Sequence, residues 1–310
     1  MNKEDDIRLD QKVRAAWMYY IAGLNQSEIA SQLGTSRPVV QRLIAAAKDE
    51  GIVSIGLHHP VANCLDYAQL LKEKYQLTDC NIMPVYSIES TLDSVTFGCY
   101  QLMARYLQGD KPTIVGIGSG LTLKKTIKRI DFDSQNTRCV ALISAMNEHG
   151  QCNYYDDVPL LLARKIQGKY YQWPAPRYAQ SREEYQMWST NRLFRNVSTV
   201  ARDSDVIFVG IGALGRQSPI FKDGFIDEQQ LEELTARGGV GEILGRFIDA
   251  EGNVVESQIN QMITSHDIRE SNCPRIAAAC GEDKRPAILA ALKGGWINGL
   301  VTDEHTARWL

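Results

Sequence analysis

Apolar residues in the first fifty positions recur at helical spacing. In residues 13–24 they lie at i, i+4, i+7, i+8 and i+11, which predicts a helix with one apolar face turned towards a core. That face consists of Val13, Trp17, Tyr20, Ile21 and Leu24. Gly23 and Asn25 end this helix, and Asn25 is a candidate N-cap for the next one.

Two further helices follow, separated by a glycine turn. The segment QSEIASQL predicts a short helix, and Gly34 supplies a turn in which a positive φ has no steric cost. Thr35 is the candidate N-cap of a third helix, SRPVVQRLIAAAK, and Pro38 falls in its first turn, where amide hydrogens have no intrahelical partner. The inward positions of these two helices are Ile29, Ala30, Leu33, Val40, Leu43, Ile44 and Ala47.

A short helix, a glycine turn and a second helix are typical of a helix-turn-helix, although an ordinary three-helix bundle shares the pattern. The charge distribution favours DNA binding, because residues 34–48 carry three cations and no acid while residues 1–56 balance seven Lys/Arg against seven Asp/Glu. Arginine and glutamine suit base edges or phosphates, and the start of the preceding helix suits the DNA backbone. The predicted DNA contacts are Gln26, Ser27, Thr35, Ser36, Arg37, Gln41 and Arg42. Because a neutral module binds DNA weakly alone, we expect at least a dimer.

The remaining 250 or so residues alternate short apolar runs with helical stretches. This alternation predicts an α/β fold whose parallel sheet is covered on both faces. The predicted strands are residues 81–85, 113–118, 139–145, 205–212, 275–280 and 298–302. We place the boundary between residues 52 and 62, which gives a DNA-binding domain at 1–56 and an effector-binding and oligomerisation domain at 57–310.

The segment TIVGIGSGLTLKKT holds the most informative candidate site. A strand leads through a glycine-rich turn into a helix, where close backbone approach and unbonded amides suit a phosphate or a polyol. Glycines that merely pack the strand against the helix remain the alternative. Asp249 ends another apolar run and is either an acceptor for sugar hydroxyls or the turn residue of a DAEG hairpin. The aromatic segment YYQWPAPRYAQSREE is either a pocket wall or core packing.

Composition narrows the class of protein. The chain has 310 residues and a net charge of −3, which excludes a protein that is basic overall and makes any nucleic-acid binding local. Seven cysteines without a CxxC pair, and five histidines without ligand spacing, predict reduced thiols and no metal site. The N-terminus lacks the features of a secretory signal, and no apolar run is long enough to span a membrane. We therefore expect a cytoplasmic protein without a membrane contact.

Six ordered segments make the chain resemble a known family. They are YYIAGLNQSEIASQLGTSRPVVQRLIAAAKDEGIV, VGIGSGLTL, DVPLLLARK with WPAPRYA, DVIFVGIGALG, GGVGEILGRFIDAEG and GGWINGLVTDEHTARWL. In this order they resemble the SorC-type (SorC/DeoR-like) sugar-responsive transcriptional regulators, and the erythritol-regulator branch in particular. The resemblance implies a winged helix-turn-helix joined to a Rossmann-like domain related to sugar-phosphate isomerases, in a protein that is usually tetrameric.

The resemblance also implies effector-binding residues, with operator DNA and a small sugar, polyol or sugar phosphate as partners. These residues are Gly118, Ser119, Gly120, Thr122, Asn147, Asp249 and Lys293. Neither a cofactor nor a catalytic residue is implied. The region SAMNEHGQ holds no lysine for covalent capture of a sugar, which one branch of the family uses.

Three hypotheses follow from these residues and from the resemblance. The first is a transcriptional regulator of a carbohydrate or polyol operon, gated by a ligand in the C-terminal domain. The second is a sugar-phosphate isomerase with an added N-terminal arm, although no acidic cluster follows the glycine loop to supply a general base. The third is a DNA-binding protein whose C-terminal domain only oligomerises.

Overall fold

The computed structural model describes residues 3–54, 60–109, 111–146 and 158–310. The chain divides into two compact units, an N-terminal unit of residues 1–58 and a C-terminal unit of residues 59–310. The division lies within the boundary interval that the sequence indicates. The described residues of the N-terminal unit form three helices: α1 (Lys3–Tyr20), α2 (Gln26–Gln32) and α3 (Arg37–Asp49).

Capping and turn residues explain where α2 and α3 begin. Asn25 caps α2 through a capping box, in which its side chain accepts the amide of Glu28 and the Glu28 carboxylate accepts the amide of Asn25. Gly34 adopts a positive φ of 62°, as its position predicts. The N-cap of α3 is Ser36, which replaces the predicted Thr35 because the chain turns helical one residue later. Pro38 lies in the first turn, as predicted.

The core of the N-terminal unit differs from the prediction at α1. Ala15 and Ala16 are buried, and the inward face of α3 is Val40, Ile44 and Ala47, as expected. Three predicted inward residues of the first helical pattern, Val13, Trp17 and Ile21, are exposed instead. The predicted apolar arc of α1 is therefore wider than the part that its own unit covers, since Ala15 and the partly buried Met18 and Tyr20 make the contact with the core of the unit.

The resemblance implies a wing, and residues 55–59, which come after the helices of the N-terminal unit, lie outside the described residues. Residues 51–54 are described and contain no strand, and the GIVSIG segment continues beyond them. The first strand of the C-terminal unit follows a long helix, α4 (Pro60–Tyr75).

The C-terminal unit holds ten strands and eleven α-helices among its described residues. The strands are β1 (Asp79–Met83), β2 (Ile114–Ile117), β3 (Arg138–Ala141), β4 (Lys169–Tyr171), β5 (Val206–Val209), β6 (Gly212–Ala213), β7 (Gly239–Ile243), β8 (Arg246–Asp249), β9 (Arg275–Ala278) and β10 (Gly299–Asp303). Besides α4 the helices are α5 (Ile88–Leu107), α6 (Leu121–Lys128), α7 (Val158–Lys165), α8 (Arg182–Thr190), α9 (Arg192–Arg202), α10 (Pro219–Lys222), α11 (Glu228–Ala236), α12 (Gln258–Gln261), α13 (Arg285–Lys293) and α14 (Glu304–Trp309).

Seven of these strands form one parallel sheet in the order β1-β10-β9-β5-β2-β3-β4. Alternate residues of each strand enter two different cores: Val206 and Phe208 lie in one, Ile207 and Val209 in the other. Helices cover both faces, which confirms the predicted Rossmann-like architecture. The sequence predicts six of the seven strands. It misses β4, a segment of only three residues.

A second sheet of three strands, β6-β7-β8, is antiparallel and was not predicted. Its chain leaves the large sheet after β5 and returns at β9, which pairs with β5. Together with neighbouring helices it encloses a core of its own, made of Ile220, Ile226, Leu231, Leu234, Phe247, Val255 and Ile259.

Two global expectations concern membranes and thiols. None of the described helices combines the length and apolarity needed to cross a membrane. The six described cysteines are free thiols, and burial raises the pKa of Cys99 and of Cys139 to about 12, which keeps both protonated. Cys152 lies outside the described residues.

Candidate functional site

A pocket of about 370 Å³ lies at the carboxyl ends of β2 and β5. These two strands are neighbours, but the chain runs from β2 outwards to β3 and β4 and from β5 outwards to β9 and β10. Loops that leave such a switch point diverge and open a crevice, which is where ligands bind in open parallel sheets. The volume falls within the range of small-molecule sites.

The glycine loop between β2 and α6 forms one wall of this pocket. Ser119, Gly120 and Thr122 line the cavity, and Gly118 lies directly behind them with its amide donating to the Phe208 carbonyl at 2.9 Å. Gly120 requires glycine because its φ is 118°. At Gly118 a Cβ would lie 2.9 Å from the end of the Leu244 side chain, which would have to move to admit it. The loop thus delivers the first amides of α6 to the cavity.

The opposite wall comes from segments distant in sequence. Arg177 is buried, stacks its guanidinium over the Phe225 ring at 3.5 Å and donates to the Ser144 carbonyl at 3.2 Å. Glu242, on β7, accepts the Gly245 amide on one carboxylate oxygen at 2.7 Å. Each charged group is therefore held in place by a packing or hydrogen-bonding contact.

The pocket contains charges of both signs and apolar surface. Lys284 and Asp283 join Arg177 and Glu242 in the lining. Such a mixture can bind a small molecule with many hydroxyl groups, because carboxylates accept hydroxyl hydrogens while cations and amides donate to oxygens. Across the described residues, no group of three His, Cys, Asp or Glu side chains is arranged to hold a metal ion.

The outward face of α3 forms a second candidate site. Ser36, Arg37, Gln41 and Arg42 are all exposed. Arg37 donates to the Gln26 side chain at 3.4 Å, which connects the start of α3 to the start of α2. Ser27 is exposed beside Gln26, whereas Thr35 is half-buried and its amide donates to the Ala30 carbonyl at 2.9 Å. Of the predicted DNA contacts, the structure exposes Ser27, Ser36, Arg37, Gln41 and Arg42 and leaves Gln26 and Thr35 half-buried.

Comparison with known proteins gives consistent matches. Residues 59–310 match the family described as "Putative sugar-binding domain". The erythritol catabolism regulatory protein EryD of Brucella abortus is 30% identical over 301 residues, covering 96% of this chain and 95% of that protein. The transcriptional regulator LsrR of Escherichia coli K12 is 31% identical over 309 residues, covering 96% and 93%. The full-length sorbitol operon regulator SorC of Klebsiella pneumoniae has a TM-score of 0.73 at 26% identity, covering 98% and 99%.

The chain belongs to this family: it is a SorC-type sugar-binding transcriptional regulator. The resemblance seen in the sequence is thereby confirmed, as is the combination of a helix-turn-helix with a Rossmann-like domain. In this SorC-type regulator the cavity is open, and the chain's own side chains do not fill it.

Two residues assigned by the resemblance lie away from the pocket of the regulator. Asp249 accepts the amides of Glu251 and Asn253, both at 2.9 Å, so its carboxylate ties the DAEG turn. Desolvation raises the pKa of Asp249, but the hydrogen bonds from Asn253, Glu251 and Gly252 together outweigh it and lower the pKa below its ordinary value. Lys293 forms an ion pair with Glu251 at 2.8 Å.

The position of Lys293 follows from the topology. It ends α13, before β10, and therefore lies towards the amino edge of the sheet rather than the carboxyl edge. The lysine that does line the pocket is Lys284, just after β9. Asn147 lies outside the described residues.

Sequence reasoning missed four charged residues of the pocket: Arg177, Glu242, Asp283 and Lys284. Arg177 belongs to the WPAPRYA segment, which was interpreted as either a pocket wall or core packing. Both descriptions hold, because Trp173 is buried in the core while Arg177 lines the cavity. Glu242 follows a glycine-rich run, which in the sequence is typical of a loop. The pairing of β7 with β6 and β8 is what brings Glu242 to the site.

Proposed function

We propose that the pocket at the carboxyl ends of β2 and β5 binds the effector, and that the effector is a small sugar, a sugar alcohol or a sugar phosphate. The observation that carries this proposal is the open cavity at the switch point, lined by the glycine loop and by charges of both signs. The names of two relatives, an erythritol catabolism regulator and a sorbitol operon regulator, point to polyols of four to six carbons.

Each wall has a distinct task in this proposal. The amides at Ser119 and Gly120, with the start of α6, receive a phosphate or a terminal hydroxyl. Glu242 accepts hydroxyl hydrogens, and its bond from the Gly245 amide keeps the carboxylate oriented before the ligand arrives. Arg177 and Lys284 donate to ligand oxygens from the opposite side.

The exposed face of α3 reads the operator in this proposal. Arg37 and Arg42 suit guanine edges or phosphates, and Gln41 suits an adenine edge. Gln26 and Ser27 hold the DNA backbone at the start of α2. The protein acts as a dimer or a tetramer, since three cations on α3 of one copy supply little of the affinity that a regulator needs.

Ligand binding and DNA binding are linked by the ligand's preference for one arrangement of the protein. A ligand shifts the equilibrium only as far as its affinities for the two arrangements differ. A coupling of about 1–3 kcal/mol changes DNA affinity roughly 5- to 150-fold.

We further propose that the pocket binds its ligand without converting it chemically. Isomerisation of a sugar phosphate needs a general base at the substrate carbon. The lining holds two carboxylates, Glu242 and Asp283, and one oxygen of Glu242 accepts the Gly245 amide, which orients that carboxylate to accept hydroxyl hydrogens. Incubation with pentose and hexose phosphates should leave their NMR spectra unchanged, and conversion of any of them would contradict this part of the proposal.

The deciding experiment is a ligand screen on the full-length protein. Erythritol, sorbitol and their phosphates are added in a thermal-shift assay, because a ligand that binds the folded state raises the melting temperature with its concentration. The ligand that shifts the melting temperature is then titrated in a gel shift with DNA from upstream of the protein's own gene. We expect it to release or tighten DNA binding, and a failure of all ligands in both assays would overturn the proposal.

A pair of variants distinguishes the pocket from the site implied by the resemblance. Glu242→Gln should lose the ligand response while retaining DNA binding, since the amide keeps the shape but not the charge. Asp249→Asn serves as the matched control, because Asp249 ties its own turn outside the cavity lining. Loss of the response in Asp249→Asn alone would place the effector away from the pocket.

A further inference from the structure

Three arginines of the C-terminal unit surround the side chain and backbone of Trp296. Arg269 lies over the indole ring, with its Cζ 3.8 Å from the ring centroid, and the Cζ of Arg246 lies 5.9 Å from the same centroid. Arg275 donates to the Trp296 carbonyl at 3.0 Å. Arg246, Arg269 and Arg275 form the Trp296 arginine cluster. None of the three lines the pocket at the carboxyl ends of β2 and β5.

Trp296 is a fixed platform for this cluster. Its side chain is completely buried, and the indole Nε1 donates to the Gly252 carbonyl at 2.7 Å. Arg246 lies on β8 and shares a side of that strand with Ile248, which belongs to the same core as Trp296. A guanidinium stacks favourably on an aromatic face. The ring therefore helps to hold the two guanidinium groups in place.

The Trp296 arginine cluster holds more positive than negative charge. Asp267 is half-buried, and Arg269 donates to both of its oxygens, at 3.0 and 2.7 Å. Glu270, a second acid that acts on Arg269, is exposed to solvent. Arg275 donates to three carbonyl groups, which carry no net charge. Asp267 thus balances Arg269, and an excess of positive charge remains on the other two arginines.

Arg246 is the member of the cluster with available donors. Its side chain is half-buried, and across the described part of the chain no oxygen accepts a hydrogen bond from its guanidinium. Burial lowers the pKa of Arg246, the charge of Asp267 raises it, and the charge of Arg269 lowers it. Because arginine stays protonated in proteins, the group keeps its charge at an energetic cost. A bound anion would relieve that cost.

We propose that the Trp296 arginine cluster binds a small oxyanion, phosphate or a phosphate monoester, between Arg246 and Arg269. A guanidinium presents paired N–H donors in one plane, which matches two oxygens of a phosphate group. Arg269 uses its Nε and Nη2 groups for Asp267, which leaves Nη1 for the anion. Its side chain is 39% exposed, so the anion reaches the cluster from solvent. This site is additional to the proposed effector pocket.

Chemical labelling of arginine in the full-length protein tests the site. Phenylglyoxal modifies accessible guanidinium groups, and mass spectrometry of the digested protein gives the labelling rate of each arginine. We expect inorganic phosphate to slow the labelling of Arg269 by about threefold or more in a saturable way, because mass action fills the site and bound anion protects it. Sodium chloride at equal ionic strength should not do so. Arg8, exposed on α1, should label equally in both salts.

Variants assign the protection to the cluster. Arg246→Gln should abolish the protection of Arg269, since glutamine has neither the charge nor the paired donors. The matched control is Arg237→Gln, at an exposed arginine of α11 that pairs with Glu233 at 3.0 Å, and it should keep the protection. Arg246→Lys keeps the charge without the planar fork, and should raise the half-protecting phosphate concentration. Glu242→Gln, in the effector pocket, should leave the protection unchanged.

Three results would overturn the proposal. The first is protection of Arg269 by phosphate no greater than by chloride, which is measured on the unmodified protein and does not depend on the stability of any variant. The second is equal protection in the unmodified protein and in Arg246→Gln. The third is loss of protection in Glu242→Gln, which would place the phosphate in the effector pocket.

A parallel titration with glycerol 3-phosphate identifies the source of the oxyanion. Protection at a lower concentration than with inorganic phosphate supports a phosphate monoester as the ligand. Protection at a lower concentration of inorganic phosphate supports the free anion. The effector screen is scored by melting temperature and DNA binding, so failure of the labelling test rejects the arginine site and leaves the proposed function standing.

Discussion

The two units of this regulator differ in how completely they bury their large apolar side chains. The C-terminal unit covers both faces of a seven-stranded sheet and completely buries large side chains such as Phe208 and Trp173. The N-terminal unit has a cluster of five buried residues, Ala15, Ile29, Ala30, Val40 and Ile44, and leaves Trp17 exposed. Since small domains bury a smaller fraction of their surface, the N-terminal unit has less stability to lose.

This difference separates the two tasks of the protein. A large, well-packed unit can hold loops and charged groups in place for a ligand. A small unit with exposed apolar side chains gains stability from whatever binds its folded form, and it responds to changes in that binding. The predictions below test this contrast, and the largest effect comes first.

Truncation of the large core should have the greatest effect. Phe208 is fully buried in β5, with its ring 6.2 Å from that of Tyr106. Phe208→Ala should destabilise the C-terminal unit by about 3–5 kcal/mol, because the cavity adds to the lost burial. Urea unfolding measures the change, and Phe97→Ala, at an exposed ring, is the matched control. A loss no greater than that of the control would contradict the assignment of Phe208 to a closely packed core.

Loss of a recognition side chain should affect DNA and leave the large unit unchanged. Arg37→Ala or Arg42→Ala should weaken operator binding by about 1–3 kcal/mol if the side chain contacts a base. If the side chain contacts only phosphate, the loss should be uniform across DNA sequences and should reduce the salt dependence. Fluorescence anisotropy on specific and scrambled DNA measures both. Arg8→Ala, on α1, is the control, and equal losses in all three variants would argue against reading by α3.

Acid should weaken the large unit through His266. Burial is the main reason that the pKa of His266 is lowered from 6.5 to about 4, while its Nε2 lies 2.9 Å from the Ser271 hydroxyl. The unfolded chain binds the proton more readily, so this stabilisation is present at neutral pH and is lost as pH falls from about 6.5 towards 4. Between about pH 7 and pH 5 the loss is about 2 kcal/mol.

His266→Gln should remove that part of the pH dependence. Urea unfolding at the two pH values measures it. His305→Gln is the control, because His305 is exposed and should leave the pH dependence as in the unmodified protein. Identical pH profiles for all three proteins would show that His266 does not carry the effect.

The smallest effect should come from a helix cap in the N-terminal unit. Asn25→Ala removes the acceptor for the amides of Ser27 and Glu28, at 3.0 and 3.1 Å, and should cost about 1 kcal/mol. Asn25→Asp retains an acceptor and should cost less. Proteolysis of residues 1–58 in the full-length protein reports the local opening. A cap variant as resistant as the unmodified protein would mean that the small unit is more stable than its core suggests.

Sequence periodicity was sufficient for most of the architecture. Continuous apolar runs such as VIFV are typical of strands in a parallel sheet that helices cover on both faces. The strands, and their alternation with helices, were therefore predictable. Segments without such a run were missed. The strand β4 is only KYY, the strand β7 begins as a glycine-rich run, and α8 has no buried residue, so none of them carries a clear pattern.

Prediction of the site was limited by its assembly from distant segments. The glycine loop has a local signal, a strand end followed by a helix start, and the structure places Ser119, Gly120 and Thr122 in the cavity. No local sequence pattern marks Arg177 or Glu242 as a site residue. Both lie far in sequence from the glycine loop, and only the tertiary fold brings them into the same pocket. Trp17 shows the converse limit, because its place in an apolar helical period predicts burial, whereas the side chain is exposed.

The chain between β5 and β9 has a consequence for how such regulators diversify. This excursion returns to the neighbouring strand, encloses its own core and contributes Phe225 and Glu242 to the cavity. Substitutions there can alter which ligand is accepted while the seven parallel strands keep their packing. In the proposed effector site, a change of ligand therefore needs substitutions in this one insertion only, with the rest of the scaffold unchanged.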